Sequence, residues 1–166
     1  MLRRLAIGDE EQITEAVAEF DAEGRQWSYR HRPDLAWPDY VALVNGWEQG
    51  HDLPDGFVTH ADLVAEVDGV IVGRSSIRYE LNDFLRAQGG HIGYAVRPHH
   101  RRRGHATQIL RQSLEVLRAR DVTPVLVTCD DTNVGSARVI ETVGGILENV
   151  VPGEPGMPSK RRYWFT

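Results

Sequence analysis

The residues whose types and spacing could do chemistry lie between Val96 and Thr107. This stretch reads Val96-Arg97-Pro98-His99-His100-Arg101-Arg102-Arg103-Gly104-His105-Ala106-Thr107, with four arginines and three histidines. A strand ends at a proline, a basic turn follows, and a helix opens at a glycine. The first N–H groups of a helix lack internal partners. The helix dipole adds partial positive charge there, so such an end holds phosphate well. Gly104 and Ala106 are small, which lets a pyrophosphate approach the backbone. The chain as a whole carries a formal net charge of -5, and a cationic spot on an acidic protein suits a small anionic ligand better than a polyanion. A metal is not expected here. The arginines would repel a cation, and no carboxylate or cysteine joins the histidines at ligand spacing.

Flanking elements must position this turn. Residues 2–7 suit a first strand. Asp9 reads as a helix N-cap with Gln12 as its reciprocal partner. Ile13, Ala16, Val17 and Phe20 then lie on one helical face, and Gly24 ends the run. Tyr40, Leu43, Val44 and Trp47 repeat that spacing over 38–49, with Pro38 near the start. The aromatic, basic segment between these helices, 25–32, reads as a loop plugging the core edge, or as a pocket wall. Residues 61–79 form a hairpin turned at Asp68-Gly69, with a bulge expected at Gly73. A strand over 91–97, a helix from Gly104 to about Arg120 and a buried strand at 123–129 make a β-α-β unit. A further helix opens at Asn133 and ends at Gly144-Gly145. Two strands, near 146–151 and 161–165, finish the chain.

The basic turn resembles the acyl-CoA-binding motif R-x-x-G-x-A of the GNAT superfamily of N-acetyltransferases. It matches at Arg101, Gly104 and Ala106, after V-x-P at Val96 and Pro98. The stretch from Asn133 through Ser136 to Gly144-Gly145 resembles that family's later motif, N-x-x-S followed by a helix and a glycine pair. Both occur in the right order, and the likeness covers most of the chain. Gly89-Gly90-His91-Ile92-Gly93-Tyr94 and the terminus Arg161-Arg162-Tyr163-Trp164-Phe165 are similar to a group of acetyltransferases with no assigned substrate. The resemblance implies a mixed α/β fold of one domain over 1–166. It implies a strongly twisted sheet of about six to seven strands with about four helices, whose central parallel pair splays apart to admit the cofactor. It implies acetyl-CoA as co-substrate, held at Val96, Arg97, Arg101, Arg102, Arg103, Gly104, His105, Ala106, Thr107, Asn133 and Ser136.

The implied reaction is direct attack of a primary amine, on a small molecule or peptide, on the thioester. Proximity would supply about 7–11 kcal/mol, and a backbone N–H near Val96 would stabilise the oxyanion. His91 and Glu80, at the ends of central strands, are the possible bases; each is otherwise a polar strand-end residue. Many family members protonate the thiolate from a helix tyrosine seven residues after the asparagine, and here that position is Ile140. Tyr163, Ser136 and solvent stand as alternatives, while Tyr94 reads as a sheet residue. A non-catalytic acyl-CoA sensor of the same fold is the competing function.

Composition fits this reading. Hydrophobic residues make 41% and charged residues 26%, as in soluble globular domains. No apolar run reaches the length of a membrane span, and the first residues do not read as a signal peptide. The lone Cys129 reads as a buried thiol and, with the rest, favours a cytoplasmic setting. No nucleic-acid partner is expected from the acidic balance. A homodimer is expected from family analogy alone.

Overall fold

The computed structural model describes residues 1–28 and 32–166. Tyr29, Arg30 and His31, part of the expected aromatic loop, lie outside the described residues. Seven strands form one open sheet: β1 (Leu2–Arg4), β2 (His60–Val67), β3 (Val70–Arg78), β4 (Ile92–Val96), β5 (Val125–Asp130), β6 (Ile146–Val151) and β7 (Lys160–Phe165). Their order is β1-β2-β3-β4-β5-β7-β6. Only β4 and β5 run parallel; the other neighbours are antiparallel. The mixed sheet expected from the sequence is therefore present.

Helices α1 (Glu10–Ala22) and α2 (Trp37–Gly46) cover one face. There Ile13, Ala16, Phe20, Tyr40 and Val44 pack with Val64, Ile71 and Ala95. Helices α3 (His105–Arg118) and α4 (Val134–Val143) cover the other, where Leu110, Leu114, Leu117 and Ile140 meet Ile77, Ile92, Val127 and Tyr163. The period-two alternation of the strands feeds both cores, and the apolar stripes of α3 and α4 supply the matching surface.

Three local expectations need correction. The first strand stops at Arg4 and a short 3₁₀ turn spans Ile7–Asp9. Asp9 does not cap α1 with its side chain; its carboxylate accepts instead from the Ala6 N–H (2.8 Å) and from Arg3. Gln12 does not close a capping box. Its side chain accepts from the Ile71 N–H (2.8 Å) and donates to the Gly69 C=O (3.1 Å), tying α1 to the hairpin. The hairpin turn is as expected, with Asp68 and Gly69 both at positive φ, the geometry of a type I′ turn. The bulge sits beside Gly73. Ala65 pairs with Gly73 and Glu66 with Ile71, leaving Val72 as the extra residue. Gly73 is there for space: a Cβ would lie 2.5 Å from the Ala95 oxygen and 2.8 Å from Ile109.

Candidate active site

The site is a gap in the sheet. β4 and β5 pair at a single register position, Ile92 against Val127. Just before it, His91 N–H donates to Leu126 C=O (2.7 Å), and Leu126 N–H donates back to His91 Nδ1 (2.9 Å). Past Ile92 the two strands share no further pairing, so the gap opens toward their C-terminal ends.

The backbone of β4 faces this gap with free polarity. Arg78 N–H donates to His91 C=O (2.8 Å) and Arg97 N–H to Val72 C=O (2.9 Å), both toward β3. Groups alternate sides along an antiparallel strand. The N–H groups of Tyr94 and Val96 therefore point the other way, into the gap. The Val96 carbonyl accepts from Arg101 Nε (3.1 Å).

At the open mouth lies the basic turn. Arg102 and Gly104 are both left-handed, at φ 63° and 82°. Gly104 is the N-cap of α3, and no side chain caps that helix. The first intrahelical bond runs from Gln108 N–H to Gly104 C=O (3.2 Å). The amides of His105, Ala106 and Thr107 thus face outward at a helix N-terminus. A Cβ built on Gly104 meets nothing within 4 Å, so the backbone is open to a ligand. Positive neighbours reinforce the preference for an anion. Burial and then Arg97, Arg103 and His105 push the His100 pKa down.

The arginines divide into two groups. Arg102 and Arg103 are exposed on the rim. Arg97 is buried and turned away, toward α1, where it bonds Glu19 (2.7 Å), Glu15 (3.0 Å) and the Ile71 carbonyl (3.2 Å). Arg101 makes a two-pronged ion pair with Glu23 (2.6 and 2.7 Å). Their side chains brace the turn against the end of α1. The four share only their charge in the sequence; the acids at Glu15 and Glu19 on α1, and at Glu23 just past its end, are the signal for the division.

The second motif stands across the gap. Asn133 Oδ1 accepts from the Ser136 N–H (3.0 Å) and caps α4, an arrangement worth about 1 kcal/mol. Ser136 Oγ bonds the Tyr94 hydroxyl at 2.8 Å. Cys129 is buried near the same pair, and burial raises its thiol pKa.

The expected bases and acid occupy different places. The His91 ring is buried at the closed end with its Nδ1 lone pair committed to Leu126, and burial pulls its pKa down to about 4. Glu80 is exposed beyond β3, where it accepts from Thr59 (3.4 Å). Tyr163 is fully buried in β7, and its hydroxyl donates to Glu141 (2.9 Å). These three do not converge. Among the described residues no group of three or more His, Cys, Asp or Glu is placed to hold a metal ion, and no helix is long and apolar enough to cross a membrane.

The sequence matches the profile of the Acetyltransferase (GNAT) family over residues 15–144. The chain belongs to that family. No curated protein matches it, but many solved structures share the fold. The yncA protein of Salmonella typhimurium, solved with its cofactor acetyl-CoA, is 17% identical with a TM-score of 0.65, covering 100% of this chain and 92% of its own. A ribosomal-protein-alanine N-acetyltransferase from Brucella melitensis is 16% identical with a TM-score of 0.67, covering 99% and 98%. A spermidine N-acetyltransferase from Vibrio cholerae is 17% identical with a TM-score of 0.67, covering 99% and 94%. At these identities the likeness to each is one of fold, and it extends over nearly the whole GNAT chain.

Proposed function

We propose that this protein transfers an acetyl group from acetyl-CoA to a primary amine by direct attack. One observation carries the reading: the β4–β5 gap, pinned at Ile92 and Val127, opens onto the uncapped N-terminus of α3. The amides from Arg102 to Thr107 receive the pyrophosphate, with Arg102, Arg103 and His105 on its rim. Arg97 and Arg101 hold the turn in shape through α1. The pantetheine arm runs along β4, past Asn133 and Ser136 at the start of α4. The Tyr94 and Val96 N–H groups face the gap and donate to the thioester oxygen as it becomes negative.

Among the described residues, the expected bases are not free to take the amine proton directly. His91 has its Nδ1 lone pair committed to a backbone amide, so the attacking amine loses its proton to water, with Glu80 as the carboxylate available at that end of β3. The acceptor belongs to the amine class. Two fold neighbours carry names for amine acetylation, one of a ribosomal-protein alanine and one of spermidine, and both kinds of acceptor enter the test.

The test has two steps. Calorimetry should give saturable binding of acetyl-CoA and none of ATP. Release of free thiol is then followed with polyamines, amino acids and peptides with free N-termini. Turnover with any of them supports the reading. Tight binding with no turnover would make the chain an acyl-CoA sensor, and absence of binding would dismiss the site.

A further inference from the structure

We propose that Tyr94, on β4, is the proton donor to the departing thiolate, relayed by Ser136; this rests on the acetyl-transfer reading above. The helix position expected to supply a tyrosine is Ile140, a hydrocarbon that is completely buried. The other ionisable groups of α4 are committed elsewhere or turned outward: Glu141 accepts from Tyr163 (2.9 Å), and Arg138 is exposed. A side-chain acid therefore comes from another element.

Tyr94 is placed for the task. Alternation along β4 puts it on the same face as Ile92, the side of α3 and α4, where it packs on the cluster that contains Ile140. It is the first residue on that face beyond the pinned Ile92, so its ring stands at the point where the gap begins. Its hydroxyl crosses from β4 to the first turn of α4 and meets Ser136 Oγ at 2.8 Å. Both residues are partly exposed, which connects the pair to solvent. Burial lifts the phenol to about 12, so Tyr94 remains protonated at neutral pH.

Protons and bonds balance along this path. As the amine nitrogen bonds the carbonyl carbon and the carbon–sulfur bond breaks, Tyr94 gives its proton to the sulfur. In concert it takes the Ser136 hydroxyl proton, and Ser136 is replenished from solvent. The surplus proton of the amine passes to water. The two movements cancel, and neither hydroxyl ends the cycle charged.

Tyr94→Phe keeps the ring and its packing and removes only the donor. With an amine that the wild type acetylates, kcat should fall about 100-fold. Acetyl-CoA affinity by calorimetry should stay within threefold, and the solvent isotope effect on kcat should change. Ser136→Ala should lower kcat by about 10-fold, less than loss of the donor itself, because it removes only the relay. A Tyr94→Phe enzyme within threefold of wild-type kcat overturns the inference. If that variant does not fold, Ser136→Ala decides, and an unchanged kcat overturns it equally. A wild type that binds acetyl-CoA but acetylates no amine overturns the transfer reading, and the inference with it.

Discussion

The two ends of the β4–β5 gap are built on opposite principles. At the closed end the backbone is pinned by side chain and main chain together. His91 and Leu126 exchange two hydrogen bonds, and Ile92 and Val127 pack in the buried core. At the open end the backbone is left wanting, with outward amides at α3 and inward amides on β4. A parallel pair would ordinarily zip along its length. Here one imidazole ends the zipper on one side, and the left-handed turn at Arg102 and Gly104 redirects the chain on the other. Stability is concentrated at one end so that unsatisfied polarity can persist at the other.

Variants can break this contrast from either end. The largest effect belongs to the open end. Gly104→Val places a branched side chain in the open space and at φ 82°, and should weaken acetyl-CoA binding by at least ~100-fold, or about 3 kcal/mol. Calorimetry reads the affinity. Left-handed strain should cost about 1–2 kcal/mol of stability as well, so a urea titration must accompany it.

Next comes His91→Ala, which leaves the buried Leu126 N–H without an acceptor. It should lower unfolding free energy by about 3 kcal/mol, with only an indirect effect on affinity. If His91→Ala instead abolished turnover in a folded protein that still bound acetyl-CoA, His91 would be chemical rather than structural.

The pH dependence sharpens the same point. The folded pKa of His91 is about 4, below the ordinary value near 6.5. Between those values the unfolded chain binds the extra proton. The neutral ring therefore stabilises above pH ~6.5, and up to ~3 kcal/mol is lost as pH falls toward 4. Chemical denaturation across that range should show the loss, and His91→Asn should flatten it.

Smaller effects mark the brace of the open end. Glu19→Gln strips a buried Arg97 of its main partner and should cost about 2 kcal/mol. Glu23→Gln, at an exposed pair, should leave the denaturation midpoint unchanged while salt dependence of acetyl-CoA binding shifts.

Much of this was legible in the residues. The basic turn before α3, the helix start at Asn133 and the alternation of the central strands follow from local periodicity and backbone chemistry, which act over a few neighbouring positions. What escaped depends on partners far along the chain. Gln12 leaves a helix start for a hairpin 59 residues on. Arg97 turns to glutamates about 80 residues before it. Tyr94 reads as one more strand residue until α4 brings Ser136 beside it. His91 carries the composition of a base, and only its placement against Leu126 shows that its lone pair is occupied.

The position of β7 between β5 and β6 has a consequence for biosynthesis. During translation, β5 and β6 are both made before the strand that joins them, β6 by only the 152–159 segment. Until Lys160–Phe165 has left the ribosome, β5 offers an unpaired apolar edge and β6 has no sheet to join. Such edges invite association with other nascent chains. The half of the molecule bearing β1–β4 can settle early, whereas β5, the second wall of the β4–β5 gap, is paired on its far edge only once β7 is made. Stalled or truncated chains ending before residue 160 should accordingly be chaperone clients, with the basic turn at Arg102 and Gly104 already made and the far edge of β5 unpaired.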